Sequence, residues 1–401
     1  MAADRQEGRH HGQLMVARTA LYAAVGARLT QYDIDVDGAA LTERGSITLP
    51  IGIQYAWAHG SKPFLYVACS DGGLGVAGTT HCLCALKVGP DGSLSPHGKA
   101  VPLQWRPVHA SVDRDSTHVL VAYNDPSAYS VFRIGADGAI GAMVPQPPPP
   151  PMHTTAHQIL VTPKNDTVLL PIRGTDAEGG HGEDPGSIEV FNYRAGALTH
   201  RQSLAPDGGF GFGPRHIDFH PNGEWVYLSI ERQNEIALLK RGKALEGPFF
   251  RKTSLRRPHE EKPRQLGGAI HVHPAGHTVY VSNRADGMVD VDGVKVFNGA
   301  ENTIAVYSID AATGEPTLVQ AEDTRGMHVR TFHIDPSGRL LVAANMRTRN
   351  VLESGAPRAV PGGLSVYRIL DDGQLQFIRK YDIDVSKANL FWIGMVELAR
   401  T

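Results

Sequence analysis

One phrase recurs along the chain and limits what it can fold into: an alternating strand, a tight turn of Pro, Gly, Asn or Asp, and a second apolar strand. It reads His216-Ile-Asp-Phe-His-Pro-Asn-Gly-Glu-Trp-Val-Tyr-Leu-Ser-Ile230, returns from Ala269 to Asn283, and returns again from Thr331 to Asn345. Weaker copies run from Gln158 to Ile172, from His109 to Tyr123 and from Gln54 to Ser70. The turn prolines Pro163, Pro221, Pro274 and Pro336 recur roughly every 50 to 60 residues, somewhat longer than a common propeller blade. A third strand follows each phrase, as in Ser130–Ile134, Ser187–Phe191, Thr303–Tyr307 and Leu364–Arg368, and turn residues such as Asp91-Gly92 and Asp137-Gly138 lead to a fourth. Four antiparallel strands per unit, repeated around an axis, predict an all-β seven-bladed propeller.

Six copies are complete and the seventh is split. Residues 20–49 supply three strands and lack the innermost, whereas Asn389–Val396 is a strand without partners of its own. Pairing the two closes the ring and ties the chain ends together. The expected organisation is a disordered tail over residues 1–13 and one propeller domain over 14–401. A repeat fold allows this size, because each unit adds its own slice of core.

Composition agrees and excludes other classes. The 44 glycines and 27 prolines suit many short strands, and a net charge of −2 gives no general attraction for nucleic acid or an anionic membrane surface. No apolar run is long enough to span a bilayer, and the polar N-terminus has no signal-type apolar segment. The three cysteines are too few and too odd for a disulfide framework, so a cytoplasmic location is expected. Cys82 and Cys84 share one strand face and read as packing, with no second ligand pair at zinc spacing. No Gly-x-Ser-x-Gly elbow and no phosphate-cradling loop occur, and the mixed-charge stretch Arg251–Arg264 reads as a solvated loop.

The turn prolines serve as a ruler for the channel. The first strand of a blade lines the axis and the second returns, so the start of one and the end of the other lie at the same mouth. Six residues before each proline stand His157, Arg215, Gly268 and Arg330; ten after stand Arg173, Glu231, Arg284 and Met346. Four arginines, a histidine and a glutamate at one rim suit an anionic ligand, since a guanidinium fork matches carboxylate or phosphate and stays charged. Glu231 should be ionised among these cations and is a candidate base, and His157 can donate or accept a proton. His216, next to Arg215, joins Arg173, Arg284 and Arg330 as a substrate-binding candidate.

The run Gly213-Pro-Arg-His-Ile-Asp-Phe-His-Pro-Asn-Gly223 followed by Glu231, the run His157-Gln-Ile-Leu-Val-Thr-Pro163, Tyr280-Val-Ser-Asn-Arg284, and Arg330–Gly338 resemble the lactonase-type seven-bladed propellers. That group comprises bacterial 6-phosphogluconolactonases and 3-carboxy-cis,cis-muconate cyclases. The resemblance implies active-site roles for His157, Arg215, Glu231 and Arg284. It implies hydrolysis of a carboxylated or phosphorylated lactone without cofactor or metal. Glu231 would accept a proton from water, Arg215 and His157 would stabilise the oxyanion, and Arg284 would hold the anionic group. Two alternatives stay open: the reverse type of step, cyclising a carboxymuconate, and a non-catalytic binding propeller. Calcium chemistry needs several carboxylates, and only Glu231 was placed at this rim; His271 and His273 read as hydrogen-bonded strand residues. Nothing in the sequence fixes the oligomeric state. Three stretches, 174–186, 285–302 and 351–363, are longer than the family pattern, follow second strands and should lie at the same mouth.

Overall fold

A computed structural model describes residues 18–260 and 263–398; the expected tail over 1–13 lies outside them. The chain forms seven four-stranded antiparallel sheets arranged as blades around an axis. Blade 1 joins residues 19–48 to the C-terminal strand Leu390–Glu397, and blades 2 to 7 follow as 53–102, 107–143, 160–204, 214–253, 265–323 and 327–382. The ring closes as the split repeat required. Leu390–Glu397 is the innermost strand of blade 1 and pairs antiparallel with Thr19–Val25, from Thr19 opposite Glu397 to Val25 opposite Leu390.

Second strands are covered on both faces by neighbouring blades. They therefore read as continuous apolar runs, and Trp225–Ile230 and Phe64–Ser70 are buried throughout. Outer strands such as Ala40–Thr48 alternate or open to solvent. Each of the seven junctions between neighbouring blades holds its own apolar cluster, so the core is a ring of seven packets surrounding the channel.

A tyrosine repeat stitches four of these junctions. The hydroxyls of Tyr22, Tyr66, Tyr227 and Tyr280, each the third or fourth residue of its strand, donate to the carbonyls of Gly92, Gly138, Gly314 and Gly373 in the next blade at 2.6, 3.0, 2.8 and 2.8 Å. All four acceptors have positive φ, between 79° and 86°. A side chain there is excluded twice over: by the backbone conformation, and because a Cβ at Gly138 would meet the Phe64 ring at 2.2 Å.

Four segments depart from the sequence expectation. The inner strand of blade 4 pairs regularly only at Leu160–Val161, with an isolated bridge at Ala156. Its partner strand carries Pro171, which has no N–H to give, although its carbonyl accepts the His157 N–H at 2.9 Å. The long stretches of blades 6 and 7 contain hairpins of their own, Met288–Val291 with Val294–Phe297 and Arg349–Glu353 with Ala356–Val360. Their two-residue turns, Asp292-Gly293 and Ser354-Gly355, have positive φ at both positions, as tight hairpins demand. Arg251–Thr253, read from sequence as loop, end the outer strand Leu245–Thr253.

Replacing Tyr227 or Tyr280 by Phe leaves a buried carbonyl without its donor. Each change should lower the unfolding free energy by about 1–2 kcal/mol, read from urea midpoints. An unaltered midpoint in the double variant would contradict the tie.

Candidate active site

The channel side chains are aimed by bulges. Where the inner strand of a blade pairs with the second, the register slips by one at Gln54, Val108, Arg215 and Arg330, and also between Gly267 and Ile270. A bulged residue leaves the ladder and can turn its side chain out of the pleat. The position six before the turn is therefore special because the strand is broken there.

Glu231, reached at the end of the returning strand, is the meeting point. Arg173 Nε donates to its Oε1 at 2.6 Å, Arg284 Nη2 donates to Oε2 at 2.6 Å, and Arg215 Nε lies 2.6 Å from Oε2. The cluster is deep in the channel rather than on a solvated rim: Arg215 is 0% exposed and Glu231 4%. Burial pushes the Glu231 carboxyl up, but Arg284, Arg173 and Arg215 outweigh it and hold the group well below the usual carboxylate range. Burial, then Arg284, lowers Arg215 to about 9, still a cation at neutral pH.

All seven residues placed from sequence meet here. The His157 and His216 rings lie 5.1 Å apart, and Arg215, Arg284 and Arg330 all act electrostatically on His157. Arg330 stacks 4.0 Å over the Phe391 ring and donates to the Phe391 carbonyl at 3.3 Å. Three guanidinium groups, Arg173, Arg215 and Arg284, thus share one carboxylate, and Arg330 stands near them. Their free valences differ. Arg284 is held on all three nitrogens, by Glu231, by the Gly267 carbonyl and by His328 Nε2. Arg173 is closed by Glu231, Gly174 O and Asp176. Arg215 Nη1 and Nη2 and His157 Nδ1 have no protein hydrogen-bond partner among the described residues, and Arg330 has no carboxylate partner among them.

The structure adds residues that the spacing missed. His109 and Tyr55, rings 4.1 Å apart, continue the lining beside His216, and Arg106 is held by Gln54 Oε1 and Asn124 Oδ1. His109 sits one position after the bulge, as His216 does; counting six residues back from Arg114, which takes the proline's place in this blade, falls on Val108 and passes it by. Behind Arg284 stands His328 at φ +61°, a strained conformation for a residue with a side chain. Because Arg284 can only donate, His328 Nε2 accepts at 2.8 Å and its proton sits on Nδ1, facing Asp286 Oδ2 at 3.6 Å. Asp286 is itself bound by Arg264 at 2.7 Å and by Arg347. Both buried carboxylates are thus closed by guanidinium groups, a donor set unlike the converging open oxygens a calcium ion takes. His273, just past the strand Gln265–Val272, bonds the Gly338 carbonyl, and His271 on that strand lies 3.6 Å from Asp218.

The stretch 174–186 is pinned beside this site. Arg232, next to Glu231, donates to Thr175 O at 2.6 Å and to Glu183 Oε1 at 2.5 Å, and Asp184 accepts from Thr154 and His153. Among the described residues no helix is long and apolar enough to cross a membrane.

The fold and its channel define a seven-bladed propeller with a buried, arginine-rich site. A family described as lactonase, 7-bladed beta-propeller matches residues 16–353, and the chain belongs to that family. It is 28% identical over 279 residues to the 6-phosphogluconolactonase of Bacillus subtilis (strain 168), covering 65% of this chain and 70% of that one. It is 25% identical over 359 residues to the 6-phosphogluconolactonase of Erwinia tasmaniensis, covering 86% and 90%. Among solved structures, the periplasmic gluconolactonase PpgL of Pseudomonas aeruginosa superposes with a TM-score of 0.71 over 96% of this chain and 100% of that one, at 19% identity, a likeness of fold.

Burial, and then the nearby arginines, push His109, His157 and His216 well below the ordinary histidine range near 6.5. They are neutral when folded and take up a proton only on unfolding, so stability is complete above about pH 6.5 and falls as pH drops below it, by up to about 1.4 kcal/mol per pH unit for each histidine. Urea midpoints should therefore fall steadily between pH 7 and pH 5, less steeply in a His157→Gln, His216→Gln double variant. Equal slopes in the two proteins would contradict neutral burial.

Proposed function

We propose that the protein hydrolyses a lactone carrying a phosphate or carboxylate, of the type of 6-phosphogluconolactone, without a metal or other cofactor. The observation that carries this reading is the excess of cation: four guanidinium groups against one carboxylate in a buried channel. A bound anion supplies the missing negative charge. The relatives named 6-phosphogluconolactonase favour hydrolysis over cyclisation. Such a substrate is soluble and metabolic, in keeping with a cytoplasmic location, and the reading calls for no nucleic acid or membrane partner.

The free valences distribute the roles. Arg330, without a carboxylate partner among the described residues, takes the substrate's anionic group, and the unpartnered Nη atoms of Arg215 face the developing oxyanion. Arg284, fully engaged within the protein, orients Glu231 instead of holding substrate. The sequence pattern left Glu231 as the proton acceptor. Three guanidinium groups make its carboxylate a weak base, whereas His157 is neutral and its Nδ1 is free. Arginine charge is one of the causes that lower the His157 basicity, so a bound anion raises it. Water gives its proton to His157 Nδ1 as its oxygen bonds to the carbonyl carbon. The tetrahedral oxyanion then collapses, the ring C–O bond breaks, and the leaving alkoxide takes the proton back from His157. The product is the open hydroxy acid. Arg173, His216 and the pinned 174–186 stretch complete the wall around the ligand.

A panel of 6-phosphogluconolactone, unphosphorylated gluconolactone and 3-carboxymuconate, followed by proton release and diene absorbance, tests this reading. The phosphorylated lactone should be hydrolysed with at least about tenfold higher kcat/KM than the neutral one, since an ion pair lost from a buried site costs about 2 kcal/mol or more. Arg330→Gln should erase that preference. Diene loss from the muconate, or equal turnover of neutral and charged lactones, would overturn it. His157→Gln should lower kcat by roughly 10²- to 10⁴-fold with little effect on KM; near-normal turnover would remove His157 from the proton transfer.

A further inference from the structure

All three cysteines of the chain converge on one spot far along the sequence from the arginine cluster's residues. Cys69 belongs to the second strand of blade 2, Phe64–Ser70, and Cys82 and Cys84 to the third, His81–Val88. Residues two apart on a strand share a face, which explains Cys82 and Cys84. The third member comes from register: Cys69 lies directly opposite Cys82, and Cys84 opposite Val67, so all three side chains leave the same face. The Cys82 and Cys84 sulfurs are 3.7 Å apart, and all three lie within 4.8 Å of one another.

That spacing is close to what a trigonal metal site needs. With metal–sulfur bonds of about 2.3 Å, three ligands around a central ion sit about 4 Å apart. Cys69 is fully buried, Cys84 nearly so, and Cys82 is only partly covered, which leaves one approach from solvent. The surroundings are apolar: Cys69 and Cys84 belong to the cluster between blades 1 and 2 that includes Tyr22, Ile53 and Val67. Among the described residues no histidine or carboxylate joins the sulfurs. His81, the nearest in sequence, is bound at 2.8 Å to Ser70 Oγ, its cross-strand partner on the opposite face.

We propose that Cys69, Cys82 and Cys84 form a three-sulfur site for a soft monovalent metal ion, Cu(I). The ligand count decides between metals. Structural zinc takes four ligands and finds only three here, whereas soft thiolates in a three-coordinate arrangement suit Cu(I). Binding forms metal–sulfur bonds while thiol protons pass to the buffer, so it needs no oxidant. A disulfide would need one, would use two of the sulfurs and would leave the third idle.

The test is competition for Cu(I) in the reduced, full-length protein against the coloured chelator bicinchoninate. One copper per chain should be retained. X-ray absorption should show a sulfur-only shell of three, and the thermal midpoint should rise on loading. Cys82→Ser and Cys84→Ser should each weaken retention at least tenfold. Cys82 is the partly exposed member, so its serine variant provides a folded control, checked by far-ultraviolet circular dichroism. A wild type that keeps no more copper than the triple serine variant overturns the site. Zinc held as tightly as copper in the parallel competition overturns the three-coordinate assignment.

Discussion

Three guanidinium groups converge on the two oxygens of Glu231, and without that carboxylate four arginines would crowd a dry channel with nothing to offset them. At an effective dielectric of about 20, two unit charges about 5 Å apart interact by about 3 kcal/mol. Several such repulsions act among Arg173, Arg215, Arg284 and Arg330, on the scale of a whole domain's net stability. Glu231 answers three of them directly. In the proposed reading, a bound anion offsets the remaining imbalance. Among the described residues compensation is short: Arg173 and Arg284 are satisfied, whereas Arg215 keeps free nitrogens and Arg330 has no carboxylate partner.

The propeller makes this concentration of charge tolerable. Each blade is bonded to itself by its own ladder and to its neighbours by an apolar packet and, at four junctions, by a tyrosine hydroxyl. Stability is therefore spread around the ring, and the inner strand starts are released for function. The bulges at Arg215 and Arg330 show how the release is achieved: the residue that leaves the ladder is the one that carries the charge. Farther back, Asp286 and His328 repeat the logic at one remove, holding Arg284 from behind so that its guanidinium faces Glu231 in one orientation.

Much of this was legible in the sequence because the repeat supplies its own coordinates. Counting from the turn prolines brought Arg215, Glu231, Arg284 and Arg330 to one mouth, and the unmatched strand at 389–396 revealed the closure. The count missed residues that sit beside the counted positions. In blade 3, counted from Arg114, the two positions fall on Val108 and Asn124, so the neighbouring His109 and Arg106 went unplaced. His328 departs from regular strand geometry two residues before Arg330, and no pattern marks it. Spacing also gave the end of the channel but not the depth at which the cluster lies. Burial depends on how neighbouring blades close over a strand end, and that is a property of packing. The two inserted hairpins carried a readable signal in Asp292-Gly293 and Ser354-Gly355. The sulfur cluster was half visible: Cys82 and Cys84 share a face by period, whereas Cys69 required the register between strands.

The most direct measurement of the central claim is the ionisation state of Glu231 itself. Difference infrared spectra between the wild type and Glu231→Gln, taken from pH 7 down to pH 4 with near-ultraviolet circular dichroism confirming the fold, isolate its carboxyl band. The account predicts a carboxylate stretch throughout, because the three arginines hold the group well below the usual range. A protonated carbonyl band rising with a midpoint near the ordinary glutamate value of about 4.3 would contradict it.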